Sequence, residues 1–368
     1  MSGNPLVLLG QLGQSPWYDY ITRELVTGGD LARLIRDDGL LGMTSNPTIF
    51  EKAVSGSALY DADIRRLTGE GLDPKAVFEG LAVADVRGAC DLFAEVYQRS
   101  GGRDGLVSLE VDPTLAHDTE GTVAEARRLW QAVDRPNAMI KIPGTLAGLP
   151  AVTRALADGI NVNVTLLFSV ARYAQVIDAF LAGLEARAGS GCPVDHLASV
   201  ASFFVSRLDG KVDAALDRLA PGSPLRGTAA IANACQAYAT FERAFSGPRW
   251  APLKAMGAQV QRPLWASTST KDPAYPDVYY VEALIGRDTV NTLPPATFDA
   301  YRDHGQPAPR IHDGVAAAPA RLAALAAAGI DLEAVTAALE LEGVESFAKS
   351  YAQLLAGIKA KAGTLMRT

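Results

Sequence analysis

Ala138-Met139-Ile140-Lys141-Ile142-Pro143-Gly144 is the stretch on which the reading of this chain turns. It is a short apolar run with a single cation at its centre. A strand this apolar is covered on both faces, as in a parallel sheet, and a lysine at its middle has no easy route to water. Desolvation disfavours the ammonium and pushes the amine toward its neutral form, the form that attacks carbonyl carbons. The plainer reading is an edge-strand lysine whose stem carries the charge out to solvent. The rest of the chain favours the first, because other strands carry polar groups in the same manner.

Outward from position 141, short apolar strands alternate with amphipathic helical patterns, the signature of a parallel α/β fold. Strands are expected at residues 17–21, 41–46, 106–112, 139–142, 161–168, 200–205, 264–268 and 289–293. Helices are expected at 30–37, 123–133, 170–187, 212–219 and 228–245. Eight β/α units predict one (β/α)8 TIM-type barrel domain over residues 1–368. Two intervals are long, Asn46 to Glu110 and Ser202 to Ser267, so extra helices are expected there, one of them over 74–99. Residues 295–368 read as mainly helical. A doubly wound sheet is the rival, but Gly10-Gln11-Leu12-Gly13 lacks the spacing and strand context of a dinucleotide turn. The S-x-x-K match at Ser346-Phe347-Ala348-Lys349 stands in a helical tail without companion motifs, and is read as chance. The sequon at Asn163-Val164-Thr165 lies within a strand, which argues against its use.

Composition narrows the partners. A hydrophobic share of 48%, a charged share of 20% and a net charge of −7 describe a soluble globular chain. They argue against nucleic acid or an anionic membrane as a general partner. An anionic substrate then needs a local cationic pocket. No stretch approaches the ~20 apolar residues of a membrane span. The N-terminal run has no basic segment ahead of its apolar residues, so it is not read as a secretory signal. Cys90, Cys192 and Cys235 are odd in number and lack metal-type spacing, which fits a reduced, cytoplasmic setting. His117, His196, His304 and His312 are dispersed, and no metal site is expected.

Residues two apart on a strand share a face. Asn161, Asn163 and Thr165 fall together, as do Ser108, Glu110 and Asp112, and Thr44 and Asn46; Ser202 interrupts an apolar strand. Half-exposed antiparallel strands would also give this pattern. Intervening helices favour a barrel whose inward face turns polar at its C-terminal rim, where barrel enzymes place their chemistry. Beyond the sixth strand comes Arg207 at a helix start. Beyond the seventh come Ser267, Thr268, Ser269, Thr270 and Lys271. Cations, hydroxyls and a helix N-terminus suit a phosphate. The competing reading pairs Arg207 with Asp209 or another acid on the rim.

The strings WYDY, TSNPTIF, VSLEVDP, MIKIPGT, NVTLLFS, SFFVSR and WASTSTK occur in the order found in transaldolases, from about Asp19 to Pro294. The chain resembles the longer bacterial branch of that family. The resemblance implies a permuted class I aldolase barrel in which Lys141 forms a Schiff base with sedoheptulose 7-phosphate or fructose 6-phosphate. It implies that Glu110 activates a water positioned by Thr165, and that Asp19 takes the proton of the C4 hydroxyl. Asn46, Asn163 and Ser202 would hold the dihydroxyacetone unit, and Arg207, Ser267 and Lys271 the phosphate. It implies phosphorylated sugars as substrates, no cofactor, and a monomer or homodimer. Two features depart from the pattern. Many shorter members carry an arginine in the seventh-strand phosphate loop, where Ser269 or Lys271 must serve here. The aspartate of the first strand sits in an aromatic WYDY setting. Two other functions stay open: a lyase releasing free dihydroxyacetone, with Tyr18 or Tyr20 beside Asp19 replacing the acid, and a non-catalytic barrel that binds a sugar phosphate.

Overall fold

In the computed structural model, which describes residues 3–367, eight parallel strands close into a barrel in sequence order. They are β1 (Gln14–Asp19), β2 (Gly42–Thr44), β3 (Leu106–Glu110), β4 (Ala138–Pro143), β5 (Val162–Leu167), β6 (Ser199–Phe204), β7 (Arg262–Ala266) and β8 (Thr289–Leu293). β8 pairs with β1, so no edge strand is left for Lys141 to escape from. The expected TIM-type barrel is the observed fold. The long intervals hold the expected helices, among them Pro74–Leu92 with Ala94–Arg99, and Ala229–Ala244.

The boundaries differ where local chemistry misleads. β1 begins at Gln14, three residues before the expected start, although Pro16 has no N–H to give the ladder. β3 stops at Glu110, and Asp112 leaves the strand: its carboxylate accepts from the Thr114 amide at 2.9 Å and from Lys75 Nζ at 2.7 Å. β7 ends at Ala266, so Ser267 follows the strand rather than lying in it.

Inside the barrel the packing is tight at one glycine in particular. The Trp17 ring lies so close to Gly42 that a Cβ there would collide with it. At the N-terminal end the cylinder is plugged by polar groups. Arg262, at the start of β7, pairs with Asp104 Oδ1 at 3.0 Å and donates to Ser15 Oγ at 2.7 Å, while Trp17 Nε1 donates to the same carboxylate oxygen at 3.3 Å. Sequence reading missed this pair, whose partners lie more than 150 positions apart.

The chain after β8 is helical: Pro295–His304, Ile311–Ala327 and Leu332–Leu365. The last has 34 residues and runs over the C-terminal mouth of the barrel, packing on the helices Pro47–Gly56 and Asp61–Gly69. Gly343 lets it approach β5, since a Cβ there would stand 3.0 Å from Leu166. Lys361 ties its far end to Asp61 at 2.8 Å and to the Val54 carbonyl at 3.0 Å. Among the described residues no single helix is long and apolar enough to cross a membrane.

Removing one partner of a buried ion pair leaves the other charge uncompensated, which costs about 3–5 kcal/mol. Asp104→Ala is therefore expected to lower unfolding free energy by about that amount in urea titration. Replacing Asp104 and Arg262 together by apolar residues should recover much of the loss.

Candidate active site

β4 carries Lys141 into the barrel, where it is 4% exposed. Its Nζ lies 3.4 Å from Glu110 Oε2 and donates to the Ser45 carbonyl at 3.1 Å. Register explains the first contact, because Glu110 of β3 is the direct cross-strand partner of Lys141. The Glu110 carboxylate is itself buried, with its side chain 4% exposed. Among the described residues both its oxygens lack a partner of hydrogen-bond geometry, so the contact with Lys141 is a charge pairing rather than an aligned hydrogen bond. Burial pushes the Glu110 carboxyl up to about 7, against the opposing pull of the Lys141 charge, with Asp19 adding a smaller upward push. It therefore changes charge near neutrality, as suits a group that gives and takes protons.

Asp19 ends β1 on the same rim. Thr44 Oγ1 donates to its Oδ1 at 2.7 Å and lies 2.6 Å from Thr292 Oγ1. Burial raises the Asp19 carboxyl above the usual range, while Lys141 and the Thr44 hydrogen bond act the other way. Thr165 projects from β5 just before an irregularity in its pairing with β6, where Leu166 takes the left-handed conformation at φ 61°. Such distortions re-aim side chains and cluster at functional sites. Among the described residues the buried Thr165 hydroxyl has no hydrogen-bond partner.

A cavity of about 460 Å³ opens at this rim. Asp19, Asn46, Lys141, Thr165, Ser202, Arg207, Ser267 and Lys271 all line it. Eight residues expected from sequence thus meet in one space, although they come from six different β/α units. Glu110 touches Lys141 from outside the lining. Asn163 is fully buried at the register of Lys141, bridging Ser108 Oγ at 3.0 Å and Ser202 Oγ at 2.7 Å, and is not among the lining residues. Asn46 caps the helix Pro47–Gly56, its Oδ1 accepting from the Ile49 amide at 3.0 Å. Tyr20 lines the cavity beside Asp19, whereas Tyr18 packs edge-on against Phe298, 5.1 Å between ring centres.

The outer part of the cavity is cationic. Arg207 stands at the start of the helix Ser206–Leu219, its guanidinium 5.3 Å from the Phe204 ring centre. Lys271 Nζ donates to Ser269 Oγ at 2.7 Å. Lys52, on the helix Pro47–Gly56, also lines the cavity. Among the described residues none of these three cations forms an ion pair. The carboxylate that the competing reading paired with Arg207 is engaged elsewhere: Asp209 accepts from the Ala230 amide at 2.8 Å and from Tyr280 Oη at 2.9 Å. Desolvation lowers both Arg207 and Lys271, and Arg207 lowers Lys271 further, the situation that a bound anion would relieve. Ser267, strained at φ 56°, holds its hydroxyl 3.0 Å from Ser206 Oγ on the same wall.

Sequence reading missed Lys52, and it missed Phe347, which closes the cavity from the C-terminal helix with its ring centre 5.6 Å from Lys141 Nζ. Two larger clefts, of about 680 and 790 Å³, lie away from Lys141 and gather none of these residues. Among the described residues no cluster of three or more His, Cys, Asp or Glu side chains is arranged to hold a metal ion.

A buried lysine beside a carboxylate, below unpaired cations in the mouth of a closed parallel barrel, defines an α/β-barrel enzyme for a small anionic substrate. The sequence model of the Transaldolase/Fructose-6-phosphate aldolase family matches residues 16–358. A protein named transaldolase from Frankia alni is 52% identical over 98% of both chains, and another from Acidothermus cellulolyticus is 52% identical over 96% of both. A protein named transaldolase 2 from a Nostoc species is 47% identical over 98% of both. The chain belongs to the transaldolase/fructose-6-phosphate aldolase family.

A carboxyl with a raised folded pKa binds its proton more tightly in the native state, so its stabilising contribution is present at low pH. That contribution fades as pH rises from the unfolded value of 4.5 toward about 7. Relative to Glu110→Gln, the wild type is expected to lose about 3 kcal/mol of unfolding free energy between pH 4 and pH 8. Paired denaturant titrations across that range check this.

Proposed function

We propose that Lys141 is the nucleophile of a transaldolase and that its neighbours divide the proton transfers between them. The activity is transfer of a dihydroxyacetone unit from sedoheptulose 7-phosphate or fructose 6-phosphate to glyceraldehyde 3-phosphate or erythrose 4-phosphate. The observation that carries this reading is the Lys141–Glu110 contact at 3.4 Å inside a mouth lined by unpaired cations.

The Lys141 amine, once unprotonated, adds to the C2 carbonyl of the ketose, and loss of water leaves a protonated imine. Glu110, which titrates near neutrality, supplies and removes the protons of these steps through the water, and the free Thr165 hydroxyl orients that water. The imine is an electron sink for the C3–C4 bond. Asp19 takes the C4 hydroxyl proton as that bond breaks, and its raised pKa suits the role. The departing aldose carries the phosphate held by Arg207, Ser267 and Lys271. Asn46 and Ser202, with Asn163 behind them, keep the three-carbon fragment on Lys141 until an acceptor aldehyde arrives. The fragment's electron pair then forms the new C–C bond, and hydrolysis of the imine frees the product and the amine.

A lyase remains the second reading, favoured by Tyr20 at the cavity wall beside Asp19. Turnover of fructose 6-phosphate should require erythrose 4-phosphate; equal dihydroxyacetone release without any acceptor identifies the lyase instead. Lys141→Ala should abolish turnover, and retained activity would remove this mechanism altogether.

Arg207→Ala should raise KM for fructose 6-phosphate by about 10- to 100-fold, the worth of a charge-assisted contact. Unphosphorylated fructose, turned over slowly, should show no comparable change, so the two substrates together separate phosphate binding from general damage.

A further inference from the structure

The C-terminal helix brings one aromatic side chain to the reacting nitrogen. Phe347 is 4% exposed, lines the cavity, and has its ring centre 5.6 Å from Lys141 Nζ, within the range at which an aromatic face attracts a cation. The helix is fixed at this point from several sides. Ser350, one turn on, accepts from the Thr48 hydroxyl of the cavity wall at 2.8 Å. Glu340 pairs with Arg172 at 3.4 Å, Glu342 pairs with Lys211 at 2.6 Å, and Gly343 packs on Leu166 beside Thr165. The ring is therefore held against the amine and does not merely fill space at a loose end.

We propose that Phe347 is a positioning residue for the lysine imine: its ring face stabilises the positive nitrogen and shields that side of it from bulk water, so the three-carbon fragment goes to an acceptor aldose rather than to solvent. This deepens the proposed function and rests on Lys141 being the imine-forming lysine. Two fates compete after C3–C4 cleavage. In transfer, the enamine electron pair forms a C–C bond to the acceptor aldehyde and the imine is hydrolysed afterwards. In leakage, the same pair takes a proton at carbon, water adds across the C=N bond, the C–N bond breaks with its electrons returning to Nζ, and free dihydroxyacetone departs. The reprotonated imine, held under an aromatic face, resists the addition of water and can lose its carbon proton again to re-form the enamine, whereas an aliphatic side chain of similar volume gives the nitrogen no such partner.

The test replaces Phe347 by phenylalanines carrying one, two and three ring fluorines, which keep the shape while emptying the ring face of negative charge. With fructose 6-phosphate and erythrose 4-phosphate, the ratio of released dihydroxyacetone to transferred product is expected to climb with each fluorine. Across the series and on to Phe347→Leu it should reach about 2- to 30-fold. A ratio that stays flat through the fluorinated series, with activity otherwise intact, overturns the proposal. Phe347→Tyr, which keeps the ring face, should stay near wild type in this ratio; a leak as large as that of Phe347→Leu also counts against it. If the unsubstituted enzyme shows no Lys141-dependent transfer at all, the parent reading fails, an outcome distinct from a flat series.

Discussion

Everything at the mouth of this barrel follows from placing an amine and a carboxylate side by side where water is scarce. Two ionisable groups in a buried site cost several kcal/mol each in lost hydration, and a contact without good hydrogen-bond geometry recovers only part of that. The Lys141–Glu110 pair is of this kind: both side chains are buried, and the carboxylate lacks aligned donors among the described residues. The energy withheld from stability is what leaves the carboxyl titrating near neutrality. A fold that maximised stability here would have put an apolar pair across β3 and β4.

The rest of the architecture supports that placement. Barrel closure removes the edge strand from which a lysine could reach solvent. The Arg262–Asp104 plug sits at the opposite, N-terminal end of the same cylinder, so the polar groups of the floor are satisfied by one another and do not compete with the site. Two of the four non-glycine residues with left-handed backbone stand at the working rim, Leu166 beside Thr165 and Ser267 at the cationic wall; the other two, Asp134 and Asp288, lie outside it. The long C-terminal helix then covers the opening and delivers Phe347.

Much of this was legible in the sequence because strand alternation is a local property. The faces of 161–168 and 106–112 can be read from a few residues each, and a cross-strand Lys141–Glu110 neighbourhood follows once the strands are taken as consecutive. Motif order carried the same residues into the family. What could not be read depends on contacts between distant segments. Phe347 lies 206 positions beyond Lys141 on a helix whose alanine-rich sequence gives no sign of which barrel opening it covers. Arg262 looks like an ordinary surface cation at a strand start until Asp104 and Ser15 are brought under it. The true start of β1 was hidden by Pro16, which suggests a turn, and the departure of Asp112 by a periodicity that continues on paper past the end of the strand.

The most direct test of the account is to reduce the enzyme with borohydride in the presence of fructose 6-phosphate and map the modified peptide by mass. The account predicts a substrate-derived adduct on Lys141 that diminishes in Glu110→Gln. An adduct on another lysine, or none under turnover conditions, would contradict it.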